Sequence, residues 1–355
     1  MSLPLKVHIL GVGAIGSLLA YDLKRVFPQV ISPVLLLRPK STVNPSQEHK
    51  IYVSRIKNSQ LSTQGIETES VKPHLVTDPI ENLIITTKAP QTEEALLPYL
   101  PHIRPTTNIF ILQNGMGMGR NLVDKFWNTA NARPTIFEGI TTHGAYVHNG
   151  ITHHVAEGAI SIGELPGNIP GQPDRFLSPE ERPEMITSLL KIPELNAKML
   201  NYEEFVRTQA EKLIVNCCIN ALTALFDCKN GELMCGDDVR YLWRHIINEA
   251  KEVLIAEYPA LVKLSESQQM LDTDRLLAKV IDVVDLTKDN SSSMRQDIRN
   301  LRVTEIDSIN GYIGYLGRKH GLAVPVNRTL TSMIKSKLSI DRGIDQAAAE
   351  KVLQI

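Results

Sequence analysis

The chain has 355 residues, 43% of them hydrophobic, which is enough apolar material for two domains with buried cores. Its 38 basic and 39 acidic residues leave a formal net charge of −1, which excludes a global field favouring nucleic acid or an anionic membrane. Aromatic residues make up only 5% and do not interleave with basic ones as in single-strand binders, and no apolar run reaches the roughly 20 residues of a membrane span.

The opening MSLPL passes directly into the apolar run of residues 5–10, which predicts a short strand and leaves no room for a targeting segment. The cytosol is therefore the expected compartment (a cytoplasmic protein). GVGAIGSLLAYDLKRV follows as a glycine turn and a helix. PVLLLRP (33–39), NLIITTKAP (82–90) and NIFILQNG (108–115) are further strands, continuous in apolar character, as a parallel sheet covered on both faces requires. QTEEALLPYLPHI between the last two predicts a helix and a connection. This alternation predicts an α/β fold, an N-terminal Rossmann-type doubly wound domain.

From Pro134 the character changes. TIFEGITTHGAYV and GITHHVAEGAISIGEL read as strands forming an antiparallel edge of the sheet, and 166–185, rich in Pro, Gly and charge, as a surface insertion. The long segment 41–70 has no derivable role. Helical periodicity then dominates 203–226, 237–257, 267–287 and 304–320, so an all-α C-terminal domain is expected, with domains at 1–199 and 200–355. The four cysteines, Cys217, Cys218, Cys228 and Cys235, read as reduced and mostly buried thiols in no zinc spacing. Adjacent His153 and His154 would point to opposite faces of a strand, so no metal site is expected.

Gly11-Val-Gly13-Ala14-Ile15-Gly16 lies between a strand and a helix, where a dinucleotide fingerprint belongs. The first glycine permits the tight turn, the second lets a pyrophosphate approach the backbone, and the third lets helix pack on strand. An NAD site usually carries a carboxylate roughly 20 residues later. That place here holds Arg38, with Lys40 and Ser41 behind it, a pair of cations suited to the 2′-phosphate of NADP. Lys88 and Asn114 each end a predicted parallel strand, where open sheets put their ligands, although either could be a turn residue.

EKLIVNCCINALTALF (211–226) predicts a helix built for an interior, yet Lys212, Asn216 and Asn220 recur every four residues along one stripe. Two explanations stand. The stripe faces a polar substrate, with a lysine of lowered pKa as general acid, or Lys212 reaches solvent while the asparagines bond across a helix interface.

With GVGAIG, KAPQ, QNG and EKLIVNCCINALTAL, the segment SSMRQDIRNLRVTEIDSINGY (292–312) gives a chain that resembles the ketopantoate reductase family (2-dehydropantoate 2-reductases) over nearly its whole length. The resemblance implies NADPH-dependent reduction of 2-dehydropantoate to pantoate, on the route to pantothenate. It implies Lys212 and Glu305 as catalytic residues, and Asn216, Asn220 and Ser293 as substrate contacts. Gly11, Gly13, Gly16, Arg38, Lys88 and Asn114 match cofactor-side positions, Asn114 also lying close to substrate. Pro90 departs from the larger apolar side chain of many relatives. The expected partner is a small 2-oxo acid, with the active site in a cleft between domains; a homodimer is compatible with this reading. Two rivals are a reductase of another branched 2-oxo acid and a non-catalytic NADP- or metabolite-binding relative.

On one straight helix Ser293 and Glu305 would stand about 18 Å apart and out of phase. A break is therefore predicted near 300–302. Ser292 or Ser293 would cap the first piece, with Gln296 completing a capping box for Ser293, and Thr304 would cap a long second helix holding Glu305 and Asp307 in its first turn. These residues could also be caps and nothing more. His143, Thr141 and Thr142 are left undecided between the site and a turn or core.

Overall fold

Residues 3–41, 49–57, 60–129, 132–167, 176–262 and 271–353 are described by a computed structural model. Part of the 166–185 insertion, part of the 41–70 segment and the start of the predicted 267–287 helix lie outside these residues.

The first strand, β1 (Leu5–Leu10), lies at the middle of an eleven-stranded sheet. The others are β2 (Ile31–Leu36), β3 (His49–Lys57), β4 (Gln60–Val71), β5 (Ile80–Ile85), β6 (Ile103–Leu112), β7 (Thr135–Thr141), β8 (Gly144–His148), β9 (Ile151–Ala156), β10 (Ile160–Glu164) and β11 (Ala197–Met199), in the order β11-β10-β7-β6-β5-β1-β2-β4-β3-β9-β8. Pairing is parallel from β7 through β6, β5, β1 and β2 to β4. The apolar runs are continuous because both faces are covered. Val7 and Ile9 pack with Leu18, Leu19 and Leu23 of helix α1 (Ala14–Val26), whereas Leu10, Leu83 and Ile85 pack with Tyr99 and Leu122 on the other face. Each such side chain contributes about 1.5–3 kcal/mol on burial.

The region after Pro134 does not form a single antiparallel edge. β7 runs parallel to β6, and only β10 adds an antiparallel strand beside it. β8 and β9 join the opposite end of the sheet, where β9 pairs in parallel with β3. The 41–70 segment supplies the β3–β4 hairpin to which they attach. His153 and His154 do face apart: His153 stacks on Tyr146, while buried His154 accepts from Arg55 Nε and lies 3.0 Å from His143.

Short helices α2 (Thr92–Leu96), α3 (Met118–Phe126) and α4 (Glu184–Leu190) complete this part. Then follow α5 (Tyr202–Phe226), α6 (Val239–Glu257), α7 (Thr273–Leu286), α8 (Ser293–Arg299), α9 (Asn310–His320) and α10 (Pro325–Leu353). Sequence reasoning did not anticipate α10. No described helix is long and apolar enough to cross a membrane. The chain divides into two units, 1–113 with 117–205 and 114–116 with 206–355, so the division falls within α5 rather than at 199/200.

Candidate active site

In the first unit the glycine turn sits where chain order reverses: β1 is flanked by β2 on one side and β5 on the other. Open α/β sheets place their ligands at this point, beyond the carboxyl ends of the strands. Gly11 has φ +104°, and a Cβ there would stand 2.4 Å from Thr87 N. At Gly16 a Cβ would stand 2.2 Å from the Gly11 carbonyl oxygen, to which Thr86 Oγ1 donates at 2.6 Å. These two glycines are required by the protein itself. A Cβ on Gly13 would meet nothing within 4 Å, so the fold leaves clear the approach that a pyrophosphate needs. Gly13 is also the N-cap of α1 and brings no side-chain cap, so Ala14, Ile15 and Gly16 present the helix N-terminus to a phosphate. These residues fit a dinucleotide. Thr86 and Thr87, absent from the sequence reading, wall the turn; their signal was the polar TTK following the apolar β5.

Arg38 and Lys40 lie exposed just beyond β2, with Arg38 Nη2 donating to Gln91 Oε1 at 3.4 Å. Lys88 is half-buried beyond β5, where its carbonyl accepts from Gln91 N as Ala89–Gln91 turn, with Pro90 inside that turn. His143 is buried in this unit, 2.9 Å from the Leu195 carbonyl oxygen, as a core histidine.

In the second unit α5 presents the polar stripe. Asn201 Oδ1 accepts from Glu204 N to start the helix, and Glu203 and Glu204 in the first turn favour its positive end. Leu213, Ile214, Cys217, Cys218, Ile219 and Leu222 are buried around the stripe, and burial drives the Cys217 and Cys218 thiols upward in pKa. Lys212 Nζ donates to Asn114 Oδ1 at 3.3 Å, and Asn114 Nδ2 donates to Glu305 Oε2 at 2.9 Å. The middle amide is oriented by its partners, oxygen toward the ammonium and nitrogen toward the carboxylate. Burial pulls Lys212 down from 10.5 to about 8, against the opposing attraction of Glu305. Asn216 is half-buried, Asn220 is buried, and neither side-chain amide hydrogen-bonds another described residue.

Backbone geometry beyond the helices brings Glu305 to this place. The expected break occurs: α8 ends at Arg299, Leu301 adopts φ +53°, and Arg302 N donates back to Asp297 O at 2.8 Å. The caps follow expectation only in part, one of the two candidate serines taking the N-cap. Ser292, not Ser293, caps α8, its Oγ accepting from Arg295 N, so the third helical residue is Arg295 and Gln296 forms no capping box. Ser293 begins the helix with its side chain exposed. Thr304 Oγ1 accepts from Ile306 N at 3.4 Å and leads into a 3-10 turn, Ile306–Ser308, rather than a long helix. Glu305 and Asp307 thus precede α9 instead of occupying its first turn. Gly115 also escaped notice. It has φ +94°, and a Cβ there would stand 2.4 Å from Ser308 O, so only glycine lets Asn114 approach the Glu305 turn.

The arrangement therefore joins Lys212, Asn114 and Glu305 directly, and adds Asn216 and Asn220 along the same helix. It offers a proton donor near neutral pH beside amides able to bind a polar molecule. Among the described residues no cluster of three or more His, Cys, Asp or Glu could hold a metal ion.

Two family models cover most of the sequence, "Ketopantoate reductase PanE/ApbA" at residues 7–167 and "Ketopantoate reductase PanE/ApbA C terminal" at 204–338. The chain is 39% identical to a probable 2-dehydropantoate 2-reductase of Schizosaccharomyces pombe, over 95% of this chain and 97% of that protein. With the 2-dehydropantoate 2-reductase of Saccharomyces cerevisiae the identity is 31%, over 95% of each. Among solved structures, the probable 2-dehydropantoate 2-reductase from Bacillus subtilis matches with a TM-score of 0.68 and 26% identity, over 94% of this chain and all of that one. The chain belongs to the ketopantoate reductase family.

Proposed function

We propose that this protein reduces 2-dehydropantoate to pantoate with NADPH, with Lys212 as the proton donor. The observation that carries this reading is the chain Lys212–Asn114–Glu305, in which a lysine of pKa about 8 is held by an amide that a buried carboxylate orients.

The glycine turn with Lys88 would bind the dinucleotide, and Arg38 with Lys40 would meet the 2′-phosphate through charge-assisted hydrogen bonds. When bound there, the reduced nicotinamide would supply the hydride needed at the 2-oxo carbon. As the carbonyl π bond opens, its electron pair moves onto oxygen, and Lys212 Nζ gives that oxygen a proton and becomes a neutral amine, which solvent reprotonates. Before transfer is complete, the ammonium stabilises the developing alkoxide. Asn114 holds the ammonium in place, so Glu305 acts on Lys212 through Asn114 as well as by its own charge. Asn216 and Asn220 would bind the polar substituents and Ser293 the carboxylate, with Glu305 accepting from the terminal hydroxyl.

A panel of 2-oxo acids, assayed by NADPH consumption with NADH alongside, tests this reading. It expects the highest kcat/KM with 2-dehydropantoate and a large loss on the analogue lacking the terminal hydroxyl, because a site built for a hydroxyl leaves polar groups unpaired without it. Equal turnover of the two acids would count against 2-dehydropantoate as the substrate, and no turnover with any acid would favour a binding protein.

A further inference from the structure

The polar stripe on α5 does not stop at Asn220. Three residues on, it continues through Thr223, and four further on through Asp227, the residue following the helix, both steps that stay on one helix face. Both reach α8, the seven-residue helix that begins with Ser293. Fully buried Thr223 has its Oγ1 2.7 Å from Ser292 Oγ, the cap of that helix, and 3.1 Å from the Asn220 carbonyl oxygen. Asp227 Oδ1 accepts from Arg295 Nε at 3.0 Å and from Arg299 Nε at 2.6 Å, and Oδ2 accepts from Arg299 Nη2 at 3.0 Å. Arg295 Nη2 also donates to the Asp227 carbonyl oxygen at 2.9 Å, and its Nη1 to Ser291 Oγ at 3.3 Å.

A helix of seven residues is too short to be stable alone, so its place depends on such tethers. Here both its cap and its body are fastened to the helix that carries Lys212, Asn216 and Asn220. Asp227 itself has φ +52°, a left-handed conformation that Asp and Asn tolerate and most residues do not. Hydrogen bonding from Arg299, and then from Arg295, holds its carboxyl down to about 2, so the tether stays charged at working pH.

We propose that Asp227 is a positioning residue for substrate recognition, which through Arg295 and Arg299 registers Ser293 against the Lys212 helix so that its hydroxyl meets the substrate carboxylate. The proposal rests on the reading of Ser293 as a substrate contact. Asp227 is not catalytic; its effect belongs in KM for the acid.

The test is a double-mutant cycle on the full chain between Asp227→Asn and Ser293→Ala, read as KM and kcat for 2-dehydropantoate, KM for its uncharged amide, and Kd for NADPH. Asn keeps the left-handed backbone and one acceptor oxygen while removing the charge. Each single variant should raise KM for the acid about tenfold, the size of one charge-assisted hydrogen bond lost. The amide KM should rise less than the acid KM, because its neutral carbonyl accepts a weaker hydrogen bond; kcat and NADPH Kd should stay within twofold, and the double variant should be no worse than Ser293→Ala. Additive losses, or equal losses on amide and acid, would mean that Asp227 only supports the fold. A raised KM in Ser293→Ala with an unchanged one in Asp227→Asn would overturn the positioning role alone. A normal KM in Ser293→Ala would overturn the Ser293 reading and this proposal with it. Exposed Arg299→Gln gives a second route should Asp227→Asn fail to fold: it must raise the acid KM in the same direction, and an unchanged value would refute the tether.

Discussion

Replacing Lys212 by methionine should separate what this residue does for activity from what it costs the fold. Its pKa is about 8 in the native state against 10.5 in an exposed lysine, because burial disfavours the ammonium. Below pH 8 both native and unfolded chains carry the charge, and the cost of burying it is present in full, about 3 kcal/mol. Between 8 and 10.5 the unfolded chain binds more protons than the native one, so stability contributed by this group rises with pH. From pH 7 to pH 10 the recovered amount is about 2.5 kcal/mol. Lys212→Met removes the titration and keeps most of the side-chain volume. The wild type should therefore gain about 2.5 kcal/mol more than Lys212→Met over that interval, all other titrations being common to both. Urea unfolding followed by Trp243 fluorescence measures this in the helical unit, because Trp243 is fully buried there and donates to the Cys218 carbonyl. Trp127 belongs to the other unit and is changed to Phe in both proteins. Parallel stability curves for the two proteins would refute the buried-ammonium argument.

Turnover should fall as pH rises through about 8, tenfold per unit above it, since the proton donor is then lost; a pH–kcat profile flat to pH 10 would oppose Lys212 as the acid. Gly13→Val should fold normally yet lose NADPH affinity, whereas Gly11→Ala should destabilise the protein by about 2–4 kcal/mol through its left-handed backbone and its contact with Thr87. Thermal melts with NADPH titrations distinguish the two. Gly115→Ala should cost about 2–4 kcal/mol and lower kcat, since the Asn114–Glu305 contact depends on the approach to Ser308, and wild-type stability would contradict that dependence. Arg38→Ala should weaken NADPH binding about tenfold or more while changing NADH little, as measured by fluorescence titration of each cofactor.

What the sequence disclosed was mainly local. The glycine turn follows from a strand, three glycines and a helix in unbroken succession, and the Lys212 stripe follows from a four-residue recurrence within one apolar helix. The break before Glu305 was legible too, from the distance that one helix would impose. Its detail was not: T-E-I-D reads as a capping pattern, and nothing local shows that the backbone first makes a 3-10 turn, Ile306–Ser308, held close by Gly115. Sheet order was illegible for a different reason. β9 pairs with β3 in a register that sets Arg55 against His154, and such long-range pairing leaves no periodic trace in either strand. Residues 342–350 of α10 are exposed, so this stretch lacks the apolar stripe by which the other helices were found.

The most direct measurement is NADPH oxidation by the purified protein with 2-dehydropantoate, wild type beside Lys212→Met, with NADPH affinity determined for both. The account predicts turnover in the wild type, a loss of about 10³-fold in Lys212→Met, and NADPH Kd values within twofold of one another. Lys212→Met turning over at the wild-type rate, or a wild type that binds NADPH and leaves 2-dehydropantoate unreduced, would contradict it.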